Sequence, residues 1–204
     1  MQSETARIEA FSDGIFAIAI TLLILEIKIP HQQETGHLGA ALLRQWPSYV
    51  AFLLSFTYIG VMWINHHRMF NHIKRANDVL LALNLLLLLG VTVVPFPTAV
   101  LAEHLGGPDQ RAAAIVYNAT FLLIAIAFNL LWQYAVRRGL LHEHVLNSAA
   151  NISRQYAVGP VIYASCLVLA WFSVKASVAA NIALALFFAL PPSLMKKHNS
   201  SIHP

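Results

Sequence analysis

A carboxylate stands at the mouth of an oily helix. Arg7 and the run Phe11-Ser12-Asp13-Gly14 lead straight into IFAIAITLLILEIKI. An ionisable group at the edge of hydrocarbon is expensive and is usually kept for a task. A second cluster reads Trp63-Ile64-Asn65-His66-His67-Arg68. Trp, Asn and His side chains all donate hydrogen bonds, and a carboxylate buried at membrane depth needs donors. A network is therefore expected that ties Arg7, Ser12 and Asp13 to some of Trp63, Asn65, His66 and His67. For Asp13 an alternative stays open: a helix-start carboxylate, favoured by the dipole and exposed at the interface.

The adjacent histidines also invite a metal or haem reading. Neighbours on a helix project about 100° apart, so His66 and His67 do not easily share one metal. The chain has no HExxH, no cysteine pair and no carboxylate at ligand spacing. Hydrogen bonding is the favoured role, and neither a cofactor nor a resident metal is expected. Nor is an enzyme expected, since P-loop, dinucleotide-binding glycines and nucleophile elbow are all missing. A carbonyl filter of the TVGYG type and an Arg-rich voltage-sensor helix are missing as well.

The elements that position these residues are membrane spans. The chain has 204 residues, of which 58% are hydrophobic and 11% charged, and its mean hydropathy is +0.63. A soluble domain carries about 25% charged residues. Spanning takes about 20 apolar residues, and six candidates fit: 8–29, 47–67, 79–102, 112–136, 156–174 and 177–195. They leave no room for a soluble domain, so residues 1–195 read as a single six-helix transmembrane domain and 196–204 as a polar cytoplasmic tail. The first segment lacks a basic n-region and reads as a retained span. Gly106-Gly107-Pro108-Asp109 marks a turn, residues 137–154 the longest polar connection, and a break near 173–177 a tight last hairpin. Pro95, Pro97 and Pro160 read as kinks or ends. Asn84, Asn118, Asn129 and Asn181 read as hydrogen-bonding across helices. The lone cysteine, Cys166, excludes an intrachain disulfide.

The thirteen Lys and Arg residues set the orientation. With both termini inside, nine fall on the inner side and four on the outer. The net charge of +4 is thus membrane-topology charge in short loops, and no nucleic-acid partner is expected. No internal repeat is evident, so a pore on an axis needs several identical subunits. Along the first helix, Ile18, Leu22 and Leu25 share one face, beside a stripe of Ala10, Gly14, Ala17 and Thr21. Asp13 lies about 150° from the centre of that face and is expected to point into its own subunit. Periodicity alone favours lipid contact or core packing for Ile18, Leu22 and Leu25 over a pore lining.

Arg7-x-x-x-Phe11-Ser12-Asp13 resembles the signature of the transmembrane protein 175 family of potassium channels. Trp63-x-x-His66-His67-x-x-Phe70 is similar to that family too, as are Asp78, Asn84 and Pro95-Phe96-Pro97. The resemblance is carried by spans one to three; spans four to six agree in number and hydrophobicity. It implies an all-α homotetramer in the cell (plasma) membrane, with six helices per subunit and the first helix lining a central pore. It places the pore constriction at Ile18, with Leu22 and Leu25 further outward, and matches Thr21 to a threonine linked to cation selectivity. The implied activity is potassium-selective, or potassium-preferring, cation flux through a hydrophobic side-chain constriction, with potassium as the permeant ion. Partners are then the lipid bilayer and further copies of the chain. A proton-permeable channel and a secondary cation transporter are the alternatives. Glu26 reads as an ordinary interfacial carboxylate or as an attractor at the outer mouth.

Overall fold

The computed structural model describes residues 5–29 and 37–189. These form eight α-helices: α1 (Ala6–Leu22), α2 (Leu38–Arg44), α3 (Trp46–Phe70), α4 (Asp78–Val93), α5 (Pro95–His104), α6 (Gln110–Arg137), α7 (Ala149–Phe172) and α8 (Val174–Ala189). A 3-10 turn, Leu23–Glu26, extends α1, and another spans Glu143–Val145. Among the described residues, five stretches are long and apolar enough to cross a membrane: Ala6–Glu26, Trp46–Phe70, Asp78–His104, Gln110–Arg137 and Ala149–Phe172. The protein is thus an all-helical, multi-pass membrane protein. At the sixth expected span stands α8, itself 16 residues long, or about 24 Å of helix. Residues 190–195 of that span and the tail 196–204 lie outside the described residues.

Local chemistry accounts for the breaks. Asn77 caps α4, its Oδ1 accepting from the Leu80 amide at 2.9 Å. Pro95 has no amide hydrogen and opens α5 directly after Val94. Gly139 ends α6 at a positive φ of 64°. There the Leu140 amide donates to the Ala135 carbonyl and the Gly139 amide to Val136, a Schellman closure. The hairpin between α7 and α8 is a single residue. Ser173 is extended (φ −152°, ψ 108°), and its Oγ accepts from the Ala176 amide at 3.3 Å as a helix cap.

Several expected boundaries move. The longest polar connection shrinks, because α7 already starts at Ala149 and carries Arg154 as a helical residue. Pro160 does not end a helix; it lies inside α7. Lys175 belongs to the first turn of α8 rather than to the break. The short α2 was not anticipated.

α6 packs along α7 and also touches α4, α5 and α8, so it is the central strut. Its buried side chains include Phe121, Leu131 and Trp132. Gly90 lets α4 approach it closely: a Cβ there would meet Ile124 Cγ1 at 2.8 Å. Lipid gives helices no hydrophobic reason to associate, so polar contacts matter. Ser55 Oγ lies 2.7 Å from Thr98 Oγ1 and 3.1 Å from Tyr117 Oη. Tyr58 donates to Asn181 Oδ1 at 2.9 Å, Asn181 to Asn118 at 3.1 Å, and Asn118 to Ser177 at 3.1 Å. Together these bonds join α3, α5, α6 and α8.

Candidate functional site

α1 touches α3 and α4 along a narrow stripe made of Ser12, Phe16 and Ala19, continued by Leu23. The start of that stripe is pinned by hydrogen bonds. Ser12, with 0% exposure, donates to the Ile8 carbonyl at 2.8 Å and accepts from Asn84 Nδ2 at 3.1 Å. Asn84 Oδ1 in turn lies 2.9 Å from His66 Nε2. Since the amide nitrogen is spent on Ser12, the amide oxygen is the acceptor, and His66 carries its proton on Nε2. The ring is then fixed by a stacked Phe70 at 4.5 Å and an edge-on Phe16 at 5.4 Å. A ring so enclosed, with Nε2 engaged, is built for support rather than ligation. Among the described residues no group of three or more His, Cys, Asp or Glu is placed to hold a metal.

Asp13 lies at the side of this stripe. Its Oδ1 accepts from Trp63 Nε1 at 2.8 Å, and both residues are exposed on the subunit. Asp13 thus meets its expected partner Trp63 within the subunit, but from an exposed position rather than from the interior. The buried face is centred on Ser12 and Phe16, so Asp13 sits on its rim, about 90° round the helix. His67 turns the other way from His66: its Nδ1 lies 3.9 Å from Glu9 Oε2 and its Nε2 3.1 Å from Asn71 Nδ2.

Three residues of the two sequence clusters stand apart from the network. Arg7 is exposed and has no hydrogen bond or ion pair among the described residues. Phe11 is exposed. Asn65 faces α7, where its carbonyl accepts from the Tyr156 hydroxyl at 3.4 Å. The cause is helical phase: on α3, Asn65 lies about 100° from His66. Sequence reasoning missed the role of Asn84 as the hub, although it marked the residue as polar within a span. It also missed Glu9, which accepts from Thr5 Oγ1 at 2.8 Å.

The opposite face of α1 is bare. Ile18 is 61% exposed, Leu22 41% and Leu25 63%. Leu25 falls in the 3-10 turn, where side chains three apart eclipse. It therefore stands above Leu22 instead of drifting round the α-helical wheel. Between them, exposed Thr21 hydrogen-bonds back to its own helix, 2.9 Å from both the Ala17 and Ile18 carbonyls. That spends its only hydrogen and leaves oxygen lone pairs facing outward. At the far end, Glu26 Oε2 is 3.9 Å from Lys28 Nζ, which offsets its charge.

The family model for the endosomal/lysosomal potassium channel TMEM175 matches residues 7–95, the stretch holding α1, the histidine pair and Asn84. A protein of Chamaesiphon minutus named a potassium channel is 51% identical over 193 residues, covering 93% of this chain and 95% of that one. The human endosomal/lysosomal proton channel TMEM175 is 33% identical over 146 residues, 67% of this chain but 28% of the human protein. Among solved structures, the lysosomal potassium-selective channel TMEM175 homolog of Chamaesiphon minutus superposes with a TM-score of 0.85 at 50% identity, covering 92% of this chain and 97% of the other. With near full-length identity of this order and the same fold, the chain belongs to the TMEM175 channel family.

Proposed function

We propose that this chain is a potassium channel whose pore is lined by α1 of four identical subunits. The observation that carries the reading is the one-sided burial of α1. Its inner stripe is locked to α3 and α4, while Ile18, Thr21, Leu22 and Leu25 are exposed on the outward side. A symmetric ring of such faces makes a hydrophobic constriction at Ile18, which stops ions by dewetting rather than with a plug. Dilation wets it, and the outward lone pairs of Thr21 then replace part of the ion's water. Leu22 and the eclipsed Leu25 continue the wall toward the outer mouth. Ser12, Asp13, Asn84, Trp63 and the histidine pair act from behind, holding α1 in place.

Six spans per subunit, both termini inside and a place in the plasma membrane complete the proposal. The basic residues support the orientation. Glu9, Asp13, Trp63 and Arg68 lie at one end of the bundle together with the loops after α3 and α6, which are bridged at Ile73 and Leu141. That end also carries Lys74, Arg75, Arg137 and Arg138, as a cytoplasmic face does.

Flux in liposomes tests the function. Purified protein should pass potassium down its gradient at rates far above transporter turnover, and Ile18→Asn should raise the rate by wetting the constriction. No potassium flux under any voltage or ionic condition would overturn the reading, and an unchanged Ile18→Asn would remove Ile18 as the gate. The name of the human relative supports a second reading, proton permeation. A pH-sensitive dye in the same liposomes separates the two ions.

A further inference from the structure

Away from α1, the helices α3, α6 and α7 and the end of α8 enclose a cleft of about 380 Å³. That is the size of a small-molecule site. Most of its wall is apolar: Ile124 and Phe128 from α6, Ile162 from α7 and Phe187 from α8. One end is polar, lined by Asn65 and Arg68 of α3, Gln155 of α7 and His72. Among the described residues no carboxylate lines it. Neither Arg68 nor Gln155 has a hydrogen bond or ion pair among the described residues, so their donors are free for a guest.

Position supplies the second argument. Arg68 stands two residues before the end of α3, about 3 Å of rise from its terminus. Met62, on the same wall, is about 9 Å deeper. Along α7 the wall runs from Ile152 to Tyr163, about 16 Å. The cleft is therefore a long oily slot that starts inside the hydrocarbon and ends at a cation in the interface. A water-soluble anion has no use for the slot, and a neutral lipid has none for Arg68. A basic pocket between spans is the form in which membrane proteins hold anionic headgroups.

We infer that the cleft holds one anionic phospholipid from the leaflet at the basic end of the bundle. Its phosphate sits on Arg68, within reach of Gln155 and Asn65, and one acyl chain lies along Ile124, Phe128 and Ile162. The occupant would brace α3 from behind. Met62, Asn65 and Arg68 face the cleft, while Trp63 and His66 of the same helix hold α1.

Native mass spectrometry on the delipidated, assembled protein tests this, with dioleoyl-phosphatidylglycerol and dioleoyl-phosphatidylcholine as probes. The unaltered protein should bind the glycerol lipid about tenfold more tightly. Arg68→Gln should bring the two within about twofold. Val158→Trp, at the exposed rim of the slot, should weaken both. Arg138→Gln, a cation at the same end held over Tyr134 at 5.8 Å and not part of the cleft wall, should leave the preference intact. Equal binding of the two lipids by the unaltered protein would overturn the proposal without recourse to any variant. So would displacement by glycerol 3-phosphate, which marks a free-anion site, or an equal loss in Arg138→Gln, which marks diffuse surface charge.

Discussion

Asn84 is the residue on which the attachment of α1 turns. It satisfies Ser12 with its nitrogen and His66 with its oxygen, all three buried. Asn84→Leu strands both partners at a cost of about 1–3 kcal/mol for each unsatisfied group. It should markedly lower the thermal midpoint of the detergent-solubilised protein, whereas Asn65→Ala should leave that network untouched. Asp13 and Trp63 form one bond and should behave as one unit. Asp13→Ala and Trp63→Phe should each destabilise by about 1 kcal/mol, and the double variant by little more than either; additive losses in the cycle would separate them. The donors around residue 63 could be read from sequence, because opposite ends of successive spans meet. The hub could not: which residue of α4 stands opposite Ser12 depends on how two helices slide against each other, and no local pattern sets that.

Hydropathy located the helices, and the polar groups at their ends misplaced the boundaries. The first turns of α7 hold Asn151, Ser153, Arg154 and Gln155, which conceal the helix from any search for oily residues. Yet Trp132 Nε1 donates to Ser153 Oγ at 2.8 Å and anchors that very segment to α6. The tight turn at the end of α1 was equally invisible, since Leu23, Ile24 and Leu25 are as apolar as what precedes them. Two element-scale tests follow from the breaks. Ser173→Ala removes the cap between α7 and α8 and should cost about 1 kcal/mol, seen as a lower thermal midpoint. Gly90→Val forces a side chain into Ile124 and should push α4 off α6, with loss of properly assembled protein on size exclusion.

At the scale of the molecule, the loops after α3 and α6 are fastened together at the basic end. The Lys74 amide donates to the Leu140 carbonyl at 2.7 Å and the His142 amide to the His72 carbonyl at 3.0 Å. His72 there is held below the ordinary histidine value of 6.5 by partial burial, then by the neighbouring His144 and His142. The folded protein thus binds that proton less readily than the unfolded chain does. Stability should fall as the pH drops below about 6.5. The fall in thermal midpoint between about pH 7.5 and about pH 5.5 should be smaller in His72→Gln. The bare face of α1 has a wider consequence. Ile18, Thr21 and Leu25 are released from the duty of folding their own subunit, which rests on Ser12, Phe16, Ala19 and Leu23. On the proposed function, conductance and ion preference are then free to drift by substitution at the first set while the second keeps the fold. A mutational library over residues 10–26 should therefore split in two: expression tolerates nearly any apolar or small residue on the outward face and almost none on the inward one.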